Sequence, residues 1–258
     1  MPIRILAADD ISSVGLDVLR SAGYRVKARP GIDGDALRAE LQTMDALLVR
    51  SRTRVPRELL LGAPGLRLVG RAGFGMDTID VEAATHEGVA VVASPEGNAT
   101  TAAEFAIGLI FSLARHIPRA HESMRQRKWE KRRFRGTEVS GKTLGVIGCG
   151  NVGREVVKKA CALGMTVLVH DPKATRAVVR SLGGELADWN DLLEQADFIT
   201  VHVPGGPNTR DLLDDEAFGH MRDGVRLINC SRGGVVNEAA LVQAVRSGKV
   251  VGAAVDVF

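Results

Sequence analysis

The segment that most narrows the possible folds is Gly148-Cys149-Gly150-Asn151-Val152-Gly153, a G-x-G-x-x-G hexapeptide. On its own such a motif is weak. Here it closes the apolar run TLGVIG, opens the helical stretch VGREVVKKACALG, and is followed by a second apolar run, TVLVHD, ending in Asp171. Strand, glycine turn, helix, strand and terminal acid form the dinucleotide-binding fingerprint. Gly148 permits the tight turn, Gly150 lets a pyrophosphate approach the backbone, and Gly153 lets helix and strand pack closely. The helix N-terminus offers unpaired N–H groups and partial positive charge to the phosphates. Asp171 lies 18 residues beyond the last glycine, where an acid meets the adenosine ribose. Its charge opposes a 2′-phosphate, so NAD is expected rather than NADP.

The rest of the chain repeats this grammar. Before Pro95, apolar runs alternate with helical stretches: IRILAAD, YRVKAR, DALLVRS, LRLVGRAG and VAVVASP are the expected strands. A second series contains TLGVIG, TVLVHD, FITVHV, VRLINC and VGAAVDVF, with a short GEL strand possible before the third. Alternation of this kind argues for α/β architecture with doubly wound parallel sheets. Between the series runs NATTAAEFAIGLIFSLARHIPRA, expected as one long helix. Thr101 and Glu104 have capping-box spacing, with Asn98 a rival cap. Its apolar residues cover nearly all faces, the pattern of a connector buried on more than one side. The expected division is a substrate domain over 1–97 and a dinucleotide-binding domain over 98–258.

Composition excludes several classes. With 45% hydrophobic and 25% charged residues in 258, the chain can bury a real core. Aromatics at 4% disfavour a base-stacking nucleic-acid platform. Three cysteines, none in C-x-x-C, fit a reducing cytoplasm, and no Cys/His spacing supports a metal site. Neither a signal peptide nor a membrane span is expected. Residues 124–135, MRQRKWEKRRFR, carry seven basic residues and one acid in a chain of net charge +3. That patch reads as a solvated helix face and its exit, or as a contact for an anion or a subunit; nucleic acid has no accompanying motif.

GTEVSGKTLGVIGCGNVGREV, HDP, ADFITVHVP, LINCSRGGVVNEAAL and GAAVDVF together resemble the D-2-hydroxyacid dehydrogenases. LLVRSRT, LRLVGRAGFGMDTID, SPEGNATTAAEFAIGLIFSLAR and KWEKRRFRGTE agree, from near residue 45 to the chain's end. Within that family these blocks sit nearest the members that oxidise 3-phospho-D-glycerate. The resemblance implies a flavodoxin-like substrate domain, a Rossmann NAD-binding domain and a homodimer or homotetramer.

It also implies roles. Arg232, in CSRGG, matches the catalytic arginine, whose guanidinium fork suits a carboxylate and polarises the adjacent keto oxygen. Gly73, Phe74 and Gly75 match the turn whose amides hold the substrate carboxylate, and Arg50 and Arg71 match positions facing a substrate phosphate. Thr78 stands where the family has Asn. Asn151 and Val152 match residues beside the pyrophosphate. Val203 and Pro204 match the pair beside the adenine half, and Cys230, Ser231 and Asp256 match positions near the nicotinamide. The family's glutamate and its proton-transferring histidine come after the VDVF block, so the chain is expected to be a fragment with negligible turnover. None of its six histidines stands in a matching block; His202 reads as structural. The alternatives are a glyoxylate- or hydroxypyruvate-reductase activity and a non-enzymatic, NAD-responsive binding protein.

Overall fold

The computed structural model describes residues 2–73, 75–94 and 97–258. The chain divides into two compact units, Met1–Asn98 and Ala99–Phe258, against an expected boundary after residue 97.

The first unit runs β1 (Arg4–Ala7), α1 (Ser13–Ser21), β2 (Arg25–Ala28), α2 (Gly34–Leu41), β3 (Ala46–Val49), α3 (Arg57–Leu61), β4 (Leu68–Arg71), α4 (Val81–His86) and β5 (Ala90–Ala93). Its five strands are parallel in the order β2-β1-β3-β4-β5. This is the flavodoxin-like order, whose direction reverses between β1 and β3. Leu6, Leu47, Val49 and Val69 from the sheet pack with Leu37 and Leu41 of α2, Leu59 and Leu60 of α3, and Ala83 and Ala84 of α4. The Asp80 side chain caps α4, accepting from Ala83 N at 2.8 Å.

The second unit starts with α5 (Ala99–Arg115) and α6 (Ile117–Arg125) and continues β6 (Thr143–Ile147), α7 (Asn151–Ala162), β7 (Thr166–His170), α8 (Arg176–Ser181), β8 (Glu185–Leu186), α9 (Trp189–Gln195), β9 (Phe198–Val201), α10 (Asp215–His220), β10 (Val225–Asn229), α11 (Glu238–Ser247) and β11 (Val250–Val255). The order β11-β10-β9-β6-β7-β8 is that of the Rossmann fold, with its reversal between β6 and β9. Alternate residues feed two cores. Leu144, Val146 and Phe198 pack with α5 and α7, while Ile147, Ile199 and Val201 pack with α9, α10 and α11. Strands buried on both faces explain the near-continuous apolar runs in the sequence.

The long stretch after Asn98 departs from expectation in three ways. It is two helices, because His116 turns left-handed at φ 55° and Pro118, with no N–H, restarts the chain as α6. Helix α5 begins at Ala99, which puts Thr101 inside its first turn rather than at the cap. Its buried residues form a single stripe, Ala99, Ala103, Ala106, Ile110 and Ala114, and Phe105 is exposed. Among the described residues no helix is long and apolar enough to cross a membrane.

Candidate functional site

In open α/β sheets ligands bind beyond the carboxyl ends of the strands, where the strand order reverses. In the second unit that place lies beyond β6 and β9, and the glycine turn occupies it. The three glycines do different things there. Gly148 has φ +95°, and a Cβ added to it would lie 2.6 Å from the His202 carbonyl oxygen. A Cβ on Gly153 would collide with the Gly148 carbonyl oxygen. The fold itself therefore requires these two. Gly150, at the N-cap of α7, faces open space. Only something approaching the N-terminus of α7 from outside needs that position bare, and a pyrophosphate fits that demand.

Asp171 follows β7, the strand beside β6. Its Oδ2 accepts from Cys149 N at 2.7 Å and its Oδ1 from Lys173 N at 2.7 Å. The carboxylate is thus fixed against the glycine turn, and a carboxylate with about four acceptor sites keeps capacity for two ribose hydroxyls. These residues fit NAD: Gly148, Gly150, Val152 and Gly153 around the helix N-terminus, Asn151 as its first residue, and Asp171 at the ribose. Cys149 is buried, which pushes its thiol up, with Arg154 opposing and Asp171 adding to the rise. It behaves as a small core residue rather than a reactive thiolate.

Beyond β9 come His202, half-buried Val203 and exposed Pro204. The Thr200 hydroxyl lies 2.9 Å from His202 Nε2. Burial pushes the imidazole down to about 4. His202 is therefore neutral at ordinary pH, a structural group and a poor proton donor.

Beyond β10 the chain passes through Cys230, Ser231 and Arg232. Asn229, at the end of β10 and 1% exposed, holds this loop. Its Oδ1 accepts from Ser231 N at 3.0 Å and from the Ser231 hydroxyl at 2.8 Å, and its Nδ2 donates to Arg232 O at 3.2 Å. Arg232 in turn donates from Nη1 to Ser231 O at 2.7 Å. Asn229 lies in the expected strand VRLINC, and the strand pattern alone assigns its side chain no role. The signal was present: Asn is depleted in strands, and Asn-x-Ser is suited to a side-chain-to-backbone turn. Asp256 follows β11, the neighbour of β10, and donates its N–H to Asn229 O at 3.0 Å. Its side chain is exposed. Burial, with the Asp256 charge adding, raises the Cys230 thiol to about 11, so it stays protonated.

In the first unit the reversal lies between β1 and β3. Asp9, 4% exposed, projects there from the loop after β1. Its carboxylate accepts from Arg50 N at 2.5 Å, Thr53 N at 3.3 Å and the Thr53 hydroxyl at 2.7 Å. Burial alone would raise its pKa, but these hydrogen bonds, with the Arg52 charge, outweigh burial and hold it below the usual carboxylate value. Arg50 is exposed and donates from Nη1 to Asp10 O at 3.2 Å. Val49 is in register with Arg71, so Arg50 and Arg71 lie at the same sheet edge. Arg71, half-buried, donates from Nε to Gly75 O at 2.6 Å. Gly73 has φ +155°, and its amide is engaged on Arg71 O at 2.9 Å. Phe74 lies outside the described residues. Among the described residues the Thr78 hydroxyl is buried without a hydrogen-bond partner, and no cluster of three or more His, Cys, Asp or Glu could hold a metal ion.

A flavodoxin-ordered unit joined to a Rossmann unit with a complete dinucleotide fingerprint defines a two-unit NAD-linked class of protein. Residues 107–258 match the NAD binding domain of the D-isomer specific 2-hydroxyacid dehydrogenases. The D-3-phosphoglycerate dehydrogenase of Archaeoglobus fulgidus is 43% identical over 256 residues, which is 99% of this chain and 49% of that protein. The human D-3-phosphoglycerate dehydrogenase is 42% identical over 255 residues, covering 99% and 48%. The crystal structure of a glyoxylate reductase from Paecilomyes thermophila superposes with TM-score 0.90 at 27% identity, covering 100% of this chain and 82% of that one. The chain belongs to the D-isomer specific 2-hydroxyacid dehydrogenase family, with NAD as its cofactor. It spans about half the length of the curated relatives it matches.

Proposed function

We propose that this chain supplies the substrate- and NAD-binding parts of an enzyme that oxidises 3-phospho-D-glycerate to 3-phosphohydroxypyruvate. The observation that supports the reading is the pair Arg50 and Arg71 at one edge of the first sheet, two guanidinium groups of the kind that suits a phosphate. The names of relatives at 42–43% identity support the same substrate. NAD, when bound, takes up the hydride. Arg232 holds the substrate carboxylate and polarises the oxygen on the reacting carbon, oriented by Asn229 through the Ser231–Arg232 loop. His202 is not the proton acceptor, because its ring is desolvated and bonded to Thr200; that task belongs to the glutamate–histidine pair implied by the family resemblance.

The test compares Arg71→Ala with the unaltered protein on 3-phospho-D-glycerate and on D-glycerate. In calorimetric titrations with NAD present, the phosphorylated ligand should lose about 10- to 100-fold in affinity, as for a charge-assisted contact, and the unphosphorylated one far less. Equal losses would remove the phosphate role. A second reading, a reductase of unphosphorylated 2-keto acids, is favoured by the similarity to the glyoxylate reductase structure. It predicts that glyoxylate outcompetes 3-phosphohydroxypyruvate.

A further inference from the structure

We propose that Asp9 is a positioning residue for anion recognition, holding the loop after β3 so that Arg50 meets the anionic end of the substrate. This rests on the phosphate reading of Arg50 given above. The loop reads Arg50-Ser51-Arg52-Thr53-Arg54, with three arginines in five residues, and the sequence does not say which of them serves a ligand. The geometry separates two of them. Arg52 is exposed but already engaged: Nη2 donates to Gly31 O at 2.8 Å and to Asp33 Oδ2 at 3.3 Å, while Nη1 lies 3.9 Å from Asp9 Oδ1. Its charge is balanced by two carboxylates. Arg50 is tied to Asp9 only through its backbone N–H, and its side chain is exposed above the Asp10 carbonyl.

The same contacts decide how an anion can be bound here. Backbone N–H groups at a sheet's reversal point are ready anion donors. In this loop the N–H groups of Arg50 and Thr53, and the Thr53 hydroxyl, all point at the buried Asp9 carboxylate. A ligand phosphate cannot use them, and a fixed negative charge stands behind them. Recognition falls to guanidinium groups set on that clamped backbone. The clamp is long-range, since Asp9 reaches residues 41 and 44 positions away, so it fixes the β1 loop against the β3 loop. Losing it frees Arg50 to adopt many rotamers, each adding an ordering cost on binding.

The test is equilibrium binding by calorimetry, with NAD present, of 3-phospho-D-glycerate and D-glycerate to the unaltered protein and to Asp9→Asn, Arg50→Ala and the double variant. Asn keeps the shape but loses one acceptor oxygen and the charge. Asp9→Asn should weaken 3-phospho-D-glycerate about tenfold, D-glycerate less than about twofold, and NAD not at all. In the Arg50→Ala background the Asp9 substitution should have almost no further effect on the phosphorylated ligand. Additive losses in the double variant, or equal losses for both ligands, would make Asp9 a merely structural residue and overturn the proposal. If Arg50→Ala leaves 3-phospho-D-glycerate affinity intact, the phosphate reading of Arg50 falls and the proposal with it. If Arg50→Ala weakens that ligand but Asp9→Asn does not, the proposal alone falls. Should Asp9→Asn not fold, Thr53→Val loosens the same clamp with a smaller loss of the same selectivity, and Thr53→Ser, which keeps the hydroxyl, should restore it; failure of this pair to differ also overturns the proposal.

Discussion

The two sheets have related doubly wound topologies but opposite chemistry at their reversal points. In the second unit the turn after β6 is bare backbone: Gly150 faces open space, and the N-terminus of α7 lies behind it. In the first unit the loop after β1 carries Asp9, whose carboxylate engages the amides of the neighbouring loop. The same architecture can thus receive an anion on backbone N–H groups, or fill those groups internally and leave the task to arginine side chains. The choice depends on what the loop after the first strand carries, bare glycine or an aspartate. A long dinucleotide gains from a site that admits close approach, whereas a small anion gains from charge that a side chain delivers to one point.

The comparison breaks most sharply at the glycines. Gly153→Ala should cost more than about 4 kcal/mol, or prevent folding of the second unit, because its Cβ has nowhere to go. Gly150→Ala should leave thermal unfolding nearly unchanged while weakening NAD binding. If calorimetry and thermal melts found both glycines equally costly to stability, the separation between fold-required and ligand-required positions would be wrong.

Next in size is a pH effect at the second reversal point. The His202 ring takes a proton near 6.5 in the unfolded chain and only near 4 in the folded one. Its contribution to stability is therefore complete above pH 6.5 and is lost as pH falls from 6.5 toward 4, by up to about 3 kcal/mol. Urea unfolding across that range should show the loss, and His202→Gln should flatten it. An unaltered slope in the variant would assign the effect elsewhere.

Asp171→Ala should weaken NAD by about 1.5–3 kcal/mol, the range for hydrogen bonds to a charged group, and weaken NADP much less. Titration of both dinucleotides measures this. Comparable losses for the two would mean that Asp171 acts by holding Cys149 N and Lys173 N rather than by reading the ribose. The smallest expected effect is at the first unit's turn. Thr78→Val removes a buried hydroxyl without a partner and should stabilise the chain by about 1 kcal/mol. Destabilisation would show that the hydroxyl is satisfied in solution.

The sequence by itself determined the strand–helix alternation, the glycine fingerprint and the place of Asp171. Each is written in short-range terms: side-chain period, turn chemistry and spacing within one βαβ unit. Local reading also had limits at close range. It runs α5 and α6 together, although Pro118 signals the break at His116, and it places Asn229 correctly in β10 without showing what its side chain holds. Tertiary structure decided the rest. That the fold needs Gly148 bare depends on the His202 carbonyl, some fifty residues from the turn. That His202 is neutral follows from desolvation, which no local pattern records. Asp9 ends an ordinary apolar run, and only the folding of β3 against β1 brings Arg50 and Thr53 onto it. Propensity and periodicity are properties of neighbouring residues, whereas burial and hydrogen-bond partnership belong to groups that meet only when the chain has folded.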